Sequence, residues 1–408
     1  MKTKGKIEFP LVDSSYDNEE ILSCIGTLLS GQLTMGPQVK AFESAFAAFI
    51  GSPFSIMVNS GSSANLLVFS AVTNNLRSKR LAYGDKVAIP AVCWSTSLWP
   101  IIQTGLTPVL VDVDPSTLNL SIPSLKACIQ RHDVKAVMMV HVLGNSTDLK
   151  ELLQIVSKND LILIEDTCES LGSRYQDKYL GTLGEFGTFS FYFSHHMTTI
   201  EGGMIILKTQ EDLDLLKCLR THGWSREQSN RNEIERTYPQ IDPRFLFVNL
   251  GYNVRPMEIQ AAFGLQQIRR LAGTNSNRRE NVRRIKEKFL QHPLWKKQLV
   301  FPKVPADLNP SWFGFPFLIH PDLVFDYRKV AQALINRGID TRPVISGNMA
   351  LQPAIRHLNV DTSLGPFQGA QHVHDRGFFI GCHSKPLEEE KGDRLVSIVL
   401  ETIDAYCR

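Results

Sequence analysis

Between residues 54 and 208, short apolar runs rich in β-branched residues recur at helix-length intervals, and this recurrence limits the fold more than any other feature of the chain. The runs are FSIMVNS, KVAIPAV, TPVLVDVD, AVMMVHV, LILIED, GTFSFY and GMIILK. A strand that is apolar along its whole length, rather than at alternate positions, has both faces covered. Helix-length spacers let each strand return parallel to the one before it, because parallel neighbours need a crossover rather than a tight turn. The expected fold class is therefore α/β, with a large, mostly parallel sheet domain over residues 1–270. Ligands in such sheets sit beyond the carboxyl ends of the strands. That singles out residues 59–63, Trp94, Asp112, Asp166 and His195 as the first places to look for chemistry.

A chain of 408 residues exceeds what one hydrophobic core usually supports, so a second domain is expected. RPMEIQAAFGLQQIRRL and NSNRRENVRRIKEKFLQ have helical periodicity, and their basic faces read as solvated surface. From about residue 300 the texture changes to SWFGFPFLIH, DYRKVAQALINRG and IDTRPVI. This predicts a small C-terminal α+β domain over residues 271–408.

Composition removes several classes of function. A net charge of +3, with 21% charged residues, offers no field for a nucleic-acid partner. The seven cysteines are scattered and never spaced as CxxC, which argues against a disulfide framework or a zinc cluster and for a reducing, cytoplasmic setting. The start, MKTKGKIEFPLVDSS, lacks the apolar core of a leader, and no stretch approaches the roughly 18 to 20 apolar residues that span a bilayer. No membrane association and no metal site are expected.

Four short stretches carry possible chemistry. In VNSGSSANLLVF, a strand end meets Gly61, Ser62 and Ser63 and then a helix-forming run. Amides at a helix N-terminus, together with the dipole and two hydroxyls, make an anion site; the plainer reading is a serine N-cap. In LILIEDTCES, Asp166 ends an apolar strand, where an unpaired carboxylate is costly and a protonated ring nitrogen would satisfy it. The alternative is a capping or salt-bridged Asp. Trp94 in PAVCWSTS either stacks on a flat ring or belongs to the core. In SFYFSHHMTTIEGG, Ser190 is followed five residues later by His195, which has His196 beside it.

Taken in order with MGPQVKAFESAFAAFIG, LRTHGW and GYNVRPMEIQAAFG, these stretches resemble the DegT/StrS-type nucleotide-sugar aminotransferases. That resemblance covers roughly residues 30–400. It implies the pyridoxal-phosphate-dependent transferase fold type I, like that of aspartate aminotransferase. Ordinary members carry, five residues after the serine, a lysine that binds the cofactor covalently. Here that place is His195, as in a subgroup of 3-dehydratases of deoxysugar biosynthesis, the kind of enzyme that serves lipopolysaccharide O-antigen synthesis. The implied enzyme binds pyridoxal or pyridoxamine phosphate (PLP/PMP) non-covalently and expels the 3-hydroxyl of an NDP-4-keto-6-deoxy sugar. One kind within the subgroup needs an iron–sulfur cluster. Cys168 matches the first cluster ligand, but the HGWSREQSNRNEIERTYPQIDPRF segment has no cysteine, so the cluster-free kind is implied. That kind uses a GDP sugar, regenerates the cofactor from L-glutamate and releases ammonia.

Carried over position by position, the resemblance assigns catalysis to His195 and His222. Gly61, Ser62, Ser63 and Ser190 would hold the phosphate, with Asn253 reaching in from a partner subunit of a homodimer with a shared active site. Trp94 would stack on the ring, Asp166 would pair with its nitrogen, and Glu169 would lie near its hydroxyl. His196, Arg342 and Asn348 are the expected substrate contacts. The competing readings are a plain aminotransferase using another lysine, Lys178 or Lys208, and a non-catalytic homologue. A metal held by His195 and His196 is disfavoured, since neighbours on a strand point to opposite faces.

Overall fold

A computed structural model of the protein describes residues 7–13 and 15–407. Residues 1–6 and 14, which belong to the stretch read above for a leader, lie outside them. Each of the seven apolar runs forms a strand: β1 (Phe54–Val58), β2 (Lys86–Pro90), β3 (Thr107–Val111), β4 (Val134–Val140), β5 (Ile162–Asp166), β6 (Phe186–Ser190) and β7 (Gly203–Leu207). They build one sheet in the order β1-β7-β6-β5-β4-β2-β3. The pairs β2/β3, β2/β4, β4/β5 and β5/β6 are parallel. Only β7 opposes its neighbours β1 and β6, because the 191–202 segment before it contains no crossover helix.

The unbroken apolarity of the runs is explained by two cores. Val87 and Ile89 of β2, and Met138 of β4, enter one cluster, while the intervening Ala88, Val137 and Met139 enter another on the opposite face. Each fully buried Val, Ile or Met contributes about 1.5 to 3 kcal/mol relative to exposure, so neither face can be left bare.

Leu299–Val300, Gly314–Ile319, Gly377–Gly381 and Thr341–Pro343 form, in that order, a second, antiparallel sheet. With the helices Tyr327–Asn336 and Glu389–Tyr406 it encloses a separate core around Phe289, Phe317 and Phe378. Phe9, far away in sequence, joins this core.

The two helical stretches read separately in the sequence are one 34-residue helix, Glu258–Gln291. Ala272, Gly273 and Thr274 between them do not end the helix: Gly273 avoids the left-handed φ of a helix stop and faces open space. Leu271 packs with Phe42 and Phe191 under the large sheet, whereas Val282, Ile285 and Phe289 pack into the small-domain core. The expected boundary at 270/271 thus falls inside this helix, near where its packing changes partners. Among the described residues no helix is long and apolar enough to cross a membrane.

Candidate functional site

The carboxyl ends of β1, β2, β5 and β6 converge on a cavity of about 390 Å³. Gly61, Ser62, Trp94, Asp166, Glu169, Ser190 and His195 all line it. A hollow of about 430 Å³ beside Arg220 contains none of the candidates.

The phosphate cradle starts where β1 passes into the helix Gly61–Val72. Ser60 caps this helix: its Oγ accepts the Ser63 amide at 3.1 Å and its carbonyl accepts the Ala64 amide at 3.0 Å. The Ser60 hydroxyl also donates to Ser63 Oγ at 3.0 Å, so Ser63 belongs to the cap and does not line the cavity. The capping and anion-site readings are therefore compatible. The Ser62 hydroxyl shares a 2.8 Å hydrogen bond with Thr96. Gly61 is required by close approach, because a Cβ there would lie 2.6 Å from Ser190 Cβ. Ser190 Oγ in turn accepts the Tyr192 amide at 3.3 Å.

Asp166 ends β5 and is 5% exposed. Its Oδ2 accepts from Ser97 Oγ at 2.7 Å and Asn65 Nδ2 at 2.9 Å, and its Oδ1 accepts the Cys168 amide at 3.1 Å. Every one of these donors is neutral, and no salt bridge to Asp166 exists among the described residues. A buried carboxylate so arranged suits a cationic ring nitrogen. Trp94 precedes the helix Ser95–Gln103 and is 57% exposed, a cavity wall rather than a core residue. Glu169 Oε2 accepts the Leu143 amide at 3.0 Å. Burial, reinforced by the Asp166 charge, pushes its carboxyl up to about 7.

His195 does not stand on a strand: β6 stops at Ser190, and the His195 amide closes a turn onto Tyr192 O at 3.0 Å. The imidazole meets Phe313 at 5.1 Å and Tyr192 at 5.9 Å, both edge-on. Its Nδ1 is buried without a hydrogen-bond partner. Burial lowers its pKa to about 4, against an opposing pull from Asp166, so the ring is neutral at physiological pH.

The remaining candidates lie elsewhere. His196 is 2% exposed and points out of the cavity, its Nε2 donating to the Ser311 carbonyl at 2.9 Å. His195 and His196 stand in a turn and not on a strand, and both rings lie beside Phe313, at 5.1 and 5.9 Å. His222 has a left-handed φ of 59° and packs on Trp224 at 4.8 Å. Asn253, exposed, accepts from Arg255 Nε at 2.9 Å, and the adjoining backbone bridges Thr221 to Asn253. Arg342 is exposed and paired with Asp340 at 2.7 Å. Asn348 is 4% exposed and caps a helical turn by accepting the Ala350 amide at 3.1 Å. None of these five lines the cavity of its own chain. Asp112 instead caps the helix Gln368–Arg376 through the amides of Gly369 and Ala370. Among the described residues no lysine lines the cavity: Lys178 is exposed and Lys208 donates to Leu183 O.

Sequence reasoning missed Asn65 and Ser97, which orient Asp166. It also missed Phe313 from the small-domain side and His141. His141 is fully buried, with its Nε2 3.1 Å from Glu165 Oε1 and its Nδ1 2.9 Å from Ser146 Oγ. The signal for Asn65 was its place four residues after Gly61, one turn along the same helix face. Phe313 had no local signal.

The donor set fits pyridoxal phosphate. A helix N-terminus and two hydroxyls suit its phosphate, an open indole its ring, and a cation-free carboxylate its nitrogen.

The sequence pattern of the DegT/DnrJ/EryC1/StrS aminotransferase family matches residues 14–400. The GDP-4-keto-6-deoxy-D-mannose 3-dehydratase of Escherichia coli O55:H7 is 36% identical over 386 residues, 94% of this chain and 97% of the relative. That of Yersinia pseudotuberculosis is 37% identical, covering 95% and 97%. The solved E. coli enzyme with bound hydrated PLP superposes with a TM-score of 0.90 at 35% identity, over 97% of this chain and 100% of the other. Another structure of GDP-4-keto-6-deoxymannose-3-dehydratase, with a trapped PLP–glutamate geminal diamine, gives 0.89 at 35% identity, over 96% and 100%.

Proposed function

The chain belongs to the DegT/DnrJ/EryC1/StrS aminotransferase family, and on that premise we propose that it is a PLP/PMP-dependent 3-dehydratase of nucleotide sugars. Its substrate is an NDP-4-keto-6-deoxy sugar, GDP-4-keto-6-deoxy-mannose by likeness to its relatives. L-Glutamate recharges the cofactor, in keeping with the adduct trapped in a similar structure. The observation that carries the reading is that His195 faces a cavity lined, among the described residues, by no lysine.

When bound, pyridoxamine phosphate supplies an amine for the 4-keto group and an electron sink that lets the 3-hydroxyl leave. The amides that open the helix Gly61–Val72, with Ser62 and Ser190, hold its phosphate; Ser63 supports them by fixing the cap. Trp94 stacks on the ring, and Asp166 keeps the ring nitrogen protonated. His195 moves the proton at the cofactor's 4′ carbon. It is neutral and able to accept at physiological pH, and the charge of a bound phosphate raises its basicity from the low value set by burial. Glu169, with its carboxyl held near 7, donates a proton to an oxygen of the ring or substrate.

A homodimer with shared active sites completes the proposal. Among the described residues the cavity lining includes Asp166, Glu169 and Glu201 but no Lys or Arg, although it must take several phosphate charges. His222 and Asn253, which lie outside it, are proposed to serve the partner's cavity. The helix Asn18–Leu29 exposes Leu22, Ile25, Leu28 and Leu29, an apolar stripe suited to burial between copies. Arg342 and Asn348 remain substrate contacts by proposal, on a closing of the small domain. Function without an iron–sulfur cluster is supported by the cysteine-free segment 222–245, which leaves Cys168 without the clustered partner thiolates that a cluster needs. A cytoplasmic setting is proposed from the cysteine usage.

The test is incubation with PLP, L-glutamate and a panel of GDP-, CDP-, TDP- and UDP-4-keto-6-deoxy sugars, with ammonia and product mass as readouts. A product lacking one oxygen, with release of ammonia, is expected from the GDP sugar. A 4-amino product that keeps its 3-hydroxyl would make the protein an aminotransferase, and failure to bind PLP would make it non-catalytic.

A further inference from the structure

His195 is an unusual base in that its ring makes no hydrogen bond to any described residue, and its Nδ1 is buried without a partner. General bases are ordinarily oriented by a hydrogen bond to their second nitrogen. Here the ring is held by the flat faces and edges around it, and the nearest is Phe313 at 5.1 Å and 72°. How well the base is aimed therefore depends on how well Phe313 is fixed.

The segment 311–313 is clamped at successive positions. The Ser311 amide donates to Ser173 Oγ at 2.8 Å, and that hydroxyl donates to Gly144 O at 2.7 Å. The Phe313 amide donates to Leu143 O at 3.2 Å. Arg278 Nη1, buried on the long helix, reaches the carbonyls of Phe313 at 3.2 Å, Trp312 at 3.4 Å and Cys382 at 2.5 Å. The remaining carbonyl, that of Ser311, accepts from His196 Nε2, and the His196 ring itself lies 5.9 Å from Phe313. His196 is thus the one clamp that comes from the same turn as the base.

We propose that His196 is a positioning residue: by tying the turn 191–196 to Ser311 it sets Phe313 against His195 and so fixes the imidazole in line with the reacting carbon. The buried bond between His196 and the Ser311 carbonyl couples the two halves of this contact, so a shift in one is a shift in the other. The inference rests on the reading of His195 as the base.

Three variants test it: His196→Leu, which cannot donate; His196→Gln, whose amide can reach the Ser311 carbonyl; and His195→Asn as the control. In the glutamate half-reaction His196→Leu is expected to lose about 10-fold in kcat, a misaligned base being costly, with KM and PLP affinity within about twofold of wild type. His196→Gln restores most of the loss. A second readout needs no cofactor: diethylpyrocarbonate labels His195 severalfold faster in His196→Leu than in wild type or His196→Gln, followed by peptide mass. Should His196→Leu fail to fold, Phe313→Leu is expected to show the same loss of kcat and the same faster labelling. Wild-type kcat and labelling in the Leu variants would overturn the proposal, and so would a rise in KM alone, which would make His196 a substrate contact. If His195→Asn keeps the wild-type rate, the base assignment itself fails; if it loses the rate while His196→Leu keeps it, only the positioning role fails.

Discussion

Asp166 and His195 face the same cavity and are held in opposite ways. Asp166, at the end of β5, is pinned by an amide, a hydroxyl and a carboxamide. His195, in the turn after β6, is pinned by none and leans on aromatic rings. The difference follows from what each group has to do. A carboxylate that must stay charged gains from donors that favour its charged form. A base has to be neutral between turnovers, which burial ensures here, and the rings around it take the place of the usual hydrogen bond to its second nitrogen.

The comparison can be broken first at the base. His195→Asn is expected to lower dehydration by about 10²-fold or more, as for loss of a general base, while PLP binding, followed by its absorbance, persists. Wild-type turnover would show that the slot holds no base. Asp166→Asn removes a charge but keeps the shape. It is expected to weaken PLP binding by roughly 10- to 100-fold, the worth of a hydrogen bond to a charged group, as measured by titration. An unchanged affinity would mean that the buried carboxylate never meets the ring nitrogen.

Gly61→Ala places a methyl 2.6 Å from Ser190 Cβ, which is expected to cost about 1 to 3 kcal/mol of stability by overpacking and to loosen the phosphate cradle. Denaturant melts and PLP titration read both effects. Ser97→Ala, which removes one donor to Asp166, is a milder test at about 1 kcal/mol.

The contrast is also sharpened through pH. The folded His195 pKa is lowered to about 4, so between the ordinary histidine value and 4 the unfolded chain binds a proton that the folded chain does not. Stability of the cofactor-free protein therefore falls as pH drops through that window. The fall is expected to be shallower in His195→Asn, as thermal melts across the window would record; identical slopes would mean that the imidazole is not desolvated.

The fold was largely legible because each strand is apolar throughout, which leaves a covered parallel sheet as the natural solution. Asp166 and His195 were legible for a related reason, since polar residues immediately after apolar runs mark the ligand end of such a sheet. Asn65 and Ser97 escaped notice because their role depends on two helix starts meeting over a third strand. Phe313 comes from more than a hundred residues beyond His195, and no local pattern announces it. The long helix Glu258–Gln291 was read as two because polar residues interrupt its apolar pattern just where it leaves one core for another. His196 shows the converse limit: the sequence pairs it with His195, but a turn sends its ring to Ser311.

The central claim, that a histidine does the proton work of a missing lysine around a cofactor held without a covalent bond, is tested most directly by borohydride treatment of the PLP-loaded wild-type protein. Intact-mass measurement should then show the unmodified chain. A chain heavier by one reduced cofactor, mapped to any lysine, would contradict it.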